Sequence, residues 1–230
     1  MTARVALVTG ASRGIGRATA LALAGMGVHC VLTARGQGGL EDTDDAIRAA
    51  GGTATLLPLD LIKEADQLDM LGPSIVERFG RLDILVHAAG LLAKLTPVAH
   101  IAPRDWSESL AVNVTAAYRL IRSCDPPLRA APAGRAIFLT DARADTPGAY
   151  WGLYSTAKAA QAHLVQVWAA EVAATPLRVA LVEPGGVATI LRAAAFPGQD
   201  AAKLRQPEEV GAAIAALMTQ DFAHGSMLRV

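Results

Sequence analysis

The stretch Thr9-Gly10-Ala11-Ser12-Arg13-Gly14-Ile15-Gly16 follows the apolar run Val5 to Val8 and leads straight into an alanine- and leucine-rich helical pattern. Glycines at a strand-to-helix junction let the backbone turn tightly. They also let a phosphate approach exposed N–H groups at the helix start, where the dipole favours negative charge. A bare glycine triplet is weak evidence, but the strand, the turn and the helix that such a site requires are all present here. The segment therefore reads as a dinucleotide cradle, lined by Gly10, Ser12, Arg13, Gly14, Ile15 and Gly16.

Outward from the cradle, apolar β-rich runs alternate with helical patterns and no linker intervenes. Strands are expected at Val5 to Thr9, His29 to Thr33, Ala54 to Leu59, Leu82 to Val86, Ala136 to Thr140, Arg178 to Val182 and Met227 to Val230. Helices are expected near 14–26, 40–50, 65–79, 105–124, 153–174 and 207–219. Pro126-Pro127 and the run Pro132 to Gly134 punctuate a loop after the fourth of these helices. Nearly continuous apolar strands separated by helices argue for a parallel sheet covered on both faces, with the ligand at the carboxyl ends of the strands. The expected fold class is α/β, one doubly wound Rossmann-like domain of about seven strands spanning residues 1–230 and carrying both sites.

Composition narrows the function. Lys plus Arg and Asp plus Glu number 21 each, so no basic field draws the chain to nucleic acid or to an anionic membrane. Cys30 and Cys124 have no metal-ligand spacing and read as free buried thiols. The first strand begins by Val5, which leaves no room for a secretory signal, and the apolar stretch from Ala18 to Leu32 is broken by Gly25, Gly27 and His29. A cytoplasmic enzyme acting on a small molecule is the expectation.

Four further segments occur in order: Asp60-Leu61 after a strand-like run, Asn113 in Val112-Asn113-Val114, Tyr154 and Lys158 as Y-x-x-x-K, and Pro184-Gly185-Gly186-Val187-Ala188-Thr189 as P-G-x-V-x-T. With the spacing T-G-x-x-x-G-x-G at Thr9 to Gly16, these resemble the short-chain dehydrogenase/reductase family, and within it bacterial oxidoreductases of unassigned substrate. The resemblance implies hydride transfer between a nicotinamide cofactor and a small carbonyl or alcohol. Tyr154 would be the acid/base and Lys158 would favour its phenolate and hold the nicotinamide ribose. Asn113 would position a relay water and Asp60 would accept from the adenine amino group. Leu61, Ala88, Ala89, Gly90, Pro184, Gly185, Val187 and Thr189 would complete the cofactor site. The implied assembly is a homodimer or homotetramer through the fourth and fifth predicted helices, whose faces are rich in Ala, Leu and Val.

Charge at the end of the second strand chooses the cofactor. NAD selectivity usually needs a carboxylate there, whereas a 2′-phosphate wants arginine. The strand ends Leu32-Thr33-Ala34-Arg35 with no acid, and Arg13 supplies a second cation. NADP(H) is therefore expected over NAD(H).

The chain also departs from the family. Thirteen residues before the tyrosine, where the family places a serine that donates to the substrate carbonyl, stands Asp141. An ionised carboxylate cannot donate and repels charge developing on a carbonyl oxygen. Four readings are open. A protonated Asp141 acts as the donor, Thr140 supplies the hydroxyl, or the substrate brings its own donor, such as a hydroxyl or cationic nitrogen. In the fourth, turnover is lost and the protein is a cofactor-binding regulatory or structural subunit. His87-Ala88-Ala89-Gly90 stands where the family often reads N-N-A-G, so His87 either replaces an asparagine that ties the strands together or a contact is lost. The short segment from Ile190 to Gln206 offers little for a large lid, and a shallow, open substrate site is expected.

Overall fold

A computed structural model describes residues 3–230. Among these residues seven parallel strands form one sheet: β1 (Val5–Thr9), β2 (His29–Ala34), β3 (Ala54–Pro58), β4 (Ile84–His87), β5 (Arg135–Leu139), β6 (Arg178–Glu183) and β7 (Ser226–Arg229). Their order is β3-β2-β1-β4-β5-β6-β7, and β1 pairs β2 on one side and β4 on the other. The sequential order reverses between β1 and β4, and the crevice beyond their carboxyl ends is where such a sheet takes its ligand.

The alternation of each strand builds two cores. From β1, Val5 and Leu7 enter a cluster with Phe138, Val179 and Leu181 on one face. Ala6 and Val8 enter another with Ile137, Ala180 and Val182 on the opposite face. Because β-strand side chains alternate and both faces are covered, every β1 residue is buried. The helices α1 (Gly14–Gly25), α2 (Gln37–Ala49) and α8 (Pro207–Ala216) contribute to the second cluster. Those contributing to the first are α3 (Leu68–Phe79), α5 (Ala116–Ala130) and α6 (Gly152–Glu171). Cys30 and Cys124 are free thiols in opposite clusters, each pushed up to about 12 chiefly by burial.

Three features differ from the sequence expectation. The helical stretch expected near 105–124 begins at Pro103 as α4 (Pro103–Leu110), passes through a π turn over Ala111–Thr115 and runs on as α5 to Ala130. Pro126 and Pro127 therefore lie inside a helix rather than in a loop. They lack N–H groups and leave the carbonyls of Arg122 and Ser123 without their usual helical donors. Gly72 of α3 closes over that gap: its N–H donates to Ser123 Oγ at 2.8 Å, and a Cβ there would lie 1.9 Å from the Ser123 carbonyl oxygen. The third feature is a short helix, α7 (Ile190–Ala195), in the segment from Ile190 to Gln206 where no helix was expected. Thr189 Oγ1 caps it by accepting from Arg192 N at 3.1 Å. Among the described residues no helix is long and apolar enough to cross a membrane.

Candidate active site

The cradle after β1 is shaped by close backbone approach. Gly10 has φ +67°, and a Cβ there would lie 2.8 Å from the backbone nitrogen of Ala89 in the loop after β4. A Cβ on Gly16 would lie 2.3 Å from the Gly10 carbonyl oxygen, so the turn admits no side chain. α1 then starts at Gly14 without a side-chain cap, leaving its first N–H groups directed at the cleft entrance. Thr189 meets the same turn, with its Cγ2 3.5 Å from where a Gly14 Cβ would stand. A cavity of about 550 Å³ beside the turn is lined by Ser12, Arg13, Gly14, Arg17, Asp42 and Asp45. Narrow glycines, an uncapped helix start and adjacent cations fit a bound dinucleotide phosphate. Arg17 was missed in the sequence, although it lies one helical turn beyond Arg13.

Arg13 and Arg35 are both exposed, and among the described residues neither forms an ion pair. Asp60 is half-buried, and its Oδ1 accepts from Ile62 N at 2.9 Å and Lys63 N at 3.3 Å. The Ile62 bond is the largest influence holding its carboxyl below the usual range, with Arg35 and Lys63 acting in the same direction. Leu61 turns its side chain into the core. Gly185 takes φ +71° in the loop after β6, and its N–H donates to Glu183 Oε1 at 2.9 Å.

The loop after β4 connects this cradle to the reacting groups. His87 is fully buried, and its Nδ1 lies 2.8 Å from Thr9 Oγ1, which also accepts from Ala89 N at 3.2 Å. His87 thus does what the missing asparagine would: it ties β4 to β1 behind Ala88-Ala89-Gly90. Gly90 faces both Asn113 Oδ1 and Lys158 Nζ, which lie 3.5 and 3.9 Å from its Cβ position. Asn113 is fully buried in the π turn; Oδ1 accepts from Leu91 N at 3.0 Å, while Nδ2 donates to Leu91 O at 2.9 Å and to Ser109 Oγ at 3.1 Å. Both amide protons are engaged, so only an oxygen lone pair is left for a further partner.

Tyr154 and Lys158 stand one turn apart near the start of α6, and both are buried. Lys158 Nζ donates to Leu139 O at 2.8 Å and to Gln161 Oε1 at 2.9 Å. Burial pushes the ammonium down to about 8, against an opposing pull from Asp141. Gln161 was not foreseen; its place three residues after Lys158, on the same helix face, was the available signal. Tyr154 is pushed up, first by burial and then by the charge of Asp141.

Asp141 lies just past the end of β5. Its Oδ1 accepts from Arg143 N at 2.8 Å, closing a short turn over Ala142–Ala144. The turn is fastened to α6 on both sides of Tyr154, because Ser155 Oγ donates to Arg143 O at 2.6 Å and Lys158 bonds Leu139 O at 2.8 Å. The charge of Asp141 is felt at both Tyr154 and Lys158. Thr140, just past the end of β5 at Leu139, is buried, and its Oγ1 finds no partner among the described residues. Arg143 aims its guanidinium away from the carboxylate, 4.9 Å from the Trp151 ring centroid.

Trp151, Tyr154 and Phe196 build an aromatic wall beside Asp141, with Trp151–Tyr154 and Trp151–Phe196 ring centroids 5.9 and 5.6 Å apart. α7 brings Ala195 and Phe196 against this wall, so the segment after Thr189 closes one side of the substrate end. A second cavity of about 420 Å³ next to it is lined by residues 92–95 and by Ala194, Ala195 and Pro197.

Residues 4–200 match the short chain dehydrogenase family. The oxidoreductase YciK of Escherichia coli (strain K12), itself uncharacterised, is 34% identical over 209 residues, covering 90% of this chain and 82% of its own. A 3-oxoacyl-[acyl-carrier-protein] reductase of Synechocystis is 33% identical over 229 residues, covering 97% and 92%. A short chain dehydrogenase from Shigella flexneri solved with NADP superposes with a TM-score of 0.93 at 33% identity, over 98% of this chain and 96% of that one. One from Escherichia coli CFT073 solved with NADPH gives 0.92 at 33%, over 98% and 95%.

Proposed function

The chain belongs to the short-chain dehydrogenase family, and from that premise we propose that it is an NADP(H)-dependent oxidoreductase interconverting a small carbonyl compound and its alcohol. The observation that carries this reading is the convergence of Lys158 and Asn113 on Gly90, with Tyr154 one helical turn before Lys158 on α6, beside a cradle whose turn depends on Gly10 and Gly16. The bound cofactor supplies or takes up the hydride. Gly10, Ser12, Gly14, Ile15 and Gly16 hold its pyrophosphate with backbone N–H groups at the start of α1. Arg13 and Arg35 face the 2′-phosphate, which gives the preference over NAD(H). Asp60, Leu61, Ala88, Ala89 and Gly90 border the adenosine side and the ribose linkage. Pro184, Gly185, Val187 and Thr189 close over the nicotinamide end.

In reduction, Tyr154 donates its phenolic proton to the substrate oxygen as charge develops there. Lys158 stands behind it as the cation that makes the resulting phenolate tolerable, and it holds the nicotinamide ribose hydroxyls. The free lone pair of Asn113 Oδ1 is the place for the relay water that returns a proton through Lys158. One unit spanning residues 1–230 holds both sites in this reading. Trp106, Tyr118 and Val167, exposed by 41, 49 and 44% on α4, α5 and α6, are the surface through which a homodimer or homotetramer forms. The two free thiols suit a reducing compartment, so the cytoplasm is part of the proposal.

A second reading, a cofactor-binding subunit without turnover, is favoured by one observation: burial, and then the charge of Asp141, pushes Tyr154 up, away from the phenolate. Wild-type turnover on a carbonyl panel separates the two, and Tyr154→Phe tests the acid/base role. As an acid/base, its loss lowers turnover on a carbonyl panel by about 100- to 10,000-fold and leaves NADPH affinity within a few-fold. Retained turnover in the variant overturns the role.

A further inference from the structure

Asp141 stands where reduction of a plain ketone wants a hydrogen-bond donor, and the structure shows no donor that takes over. Thr140 Oγ1 is buried, Ser155 Oγ is bound to Arg143 O, and both amide protons of Asn113 are engaged. Tyr154 alone is left to face the substrate oxygen. The carboxylate meanwhile has no ion-pair partner, although the buried Lys158 ammonium acts on it from beyond that distance. Among the described residues no cation lies within ion-pair distance of it, and its only hydrogen bond is the one from Arg143 N to Oδ1. Arg143 and Arg192 are engaged elsewhere, 4.9 Å from the Trp151 ring centroid and 3.8 Å from that of Phe196. Oδ2 is thus an open acceptor in a half-buried cleft, beside the aromatic wall of Trp151, Tyr154 and Phe196. A carboxylate next to aromatic rings is the chemistry that recognises a protonated amine.

Resting on the reductase reading above, we propose that the substrate carries a protonated nitrogen on the carbon next to the reacting carbonyl or alcohol, and that Asp141 pairs with it. Such a substrate brings the donor that the chain lacks. Its N–H group reaches both Asp141 Oδ2 and the neighbouring oxygen, so negative charge growing on that oxygen meets a cation instead of a bare carboxylate. The electron and proton count is that of the neutral reaction: the carbonyl carbon gains a hydride, the C=O π pair moves to oxygen, and oxygen takes the Tyr154 proton. The ammonium keeps its protons and Asp141 keeps its charge throughout.

The test compares near-isosteric pairs, aminoacetone against butanone and phenacylamine against propiophenone, with NADPH at a pH where the amines are protonated. Wild type, Asp141→Asn and Asp141→Ser are compared. The wild type is expected to favour the ammonium member by about tenfold to a hundredfold in kcat/KM, the range of a hydrogen bond to a charged group. Asp141→Asn loses that preference, and Asp141→Ser turns it towards the neutral ketone. A second readout needs no turnover: calorimetric titration of the NADP-loaded protein with aminopropanol and with butan-2-ol. Binding of the amine that is stronger than that of the alcohol and lost in Asp141→Asn supports the proposal even if no ketone is reduced, in which case the reductase reading alone falls. Equal use of neutral ketones by the wild type, or amine binding that ignores Asp141, overturns the proposal and leaves the reductase reading standing.

Discussion

The two ends of the cleft are built from different materials. At the end proposed for the cofactor the backbone shapes the cradle: Gly10 and Gly16 are so close to neighbouring chain that a Cβ would lie 2.8 and 2.3 Å from main-chain atoms. The substrate end is made of side chains on the turn from Asp141 to Trp151 and on α7, held to α6 by single bonds such as Ser155 Oγ to Arg143 O. One consequence is positional. A backbone cradle leaves a rigid signature in sequence spacing, whereas a wall of side chains leaves residue types whose meaning depends on what they face. Another is energetic: the first end tolerates almost no substitution, while the second can exchange serine for aspartate and keep the fold.

Gly16→Ala breaks the cradle and has the largest expected effect. The new methyl must displace the Gly10 carbonyl, so NADPH binding falls by at least about 100-fold and stability drops by about 2–4 kcal/mol. Calorimetric titration and a denaturant melt check both, and a variant that binds NADPH normally would mean that the turn is not the pyrophosphate site. Next in size is the pair Arg13→Ala with Arg35→Ala. If each arginine faces the 2′-phosphate as proposed, NADPH affinity should fall by about 100-fold while NADH affinity moves by less than about threefold. Equal losses for the two cofactors would remove the argument for selectivity and leave the arginines as general anion attraction.

The same contrast explains what the sequence disclosed. Each strand was visible because both faces of the sheet are covered, so the apolar runs are nearly unbroken. Observed ends differ from expectation by at most two residues, and β7 keeps its expected length but begins and ends one residue earlier. The doubly wound order followed from the alternation, and the cradle from its glycines. Pro126 and Pro127 misled because the helix carries them while α3 packs closely against it at Gly72 and Ser123, a contact 51 residues away in sequence. α7 was hidden by its brevity, although Thr189 before Ile190 was a readable cap. Gln161 beside Lys158 was readable from its spacing on α6, whereas the paired bonds between Asn113 and Leu91 depend on the packing of the π turn against the loop after β4, which no local pattern encodes.

His87 sharpens the comparison by a small, measurable amount, because it belongs to the rigid end yet is titratable. It is fully buried, it lies 2.8 Å from Thr9 Oγ1, and its Nε2 has no partner. Burial, and then the charge of Lys158, pushes it down to about 3. An unfolded histidine titrates near ~6.5, so between pH 3 and 6.5 the unfolded chain holds a proton that the folded chain refuses. Stability from this group is therefore complete above the unfolded value and is lost as pH falls through that window. From pH 7 to pH 5 the loss should be about 2 kcal/mol. His87→Asn keeps an amide for Thr9 but cannot titrate. It should start about 1 kcal/mol lower at pH 7, from lost packing against Phe138, and then fall less steeply in acid. His29 and His224, also pushed down by burial, are present in both proteins and cancel in the difference. Chemical denaturation at pH 5, 6 and 7 reads the two slopes, and parallel lines would mean that His87 accepts a proton in the folded state and that the tie between β4 and β1 is looser than its geometry implies.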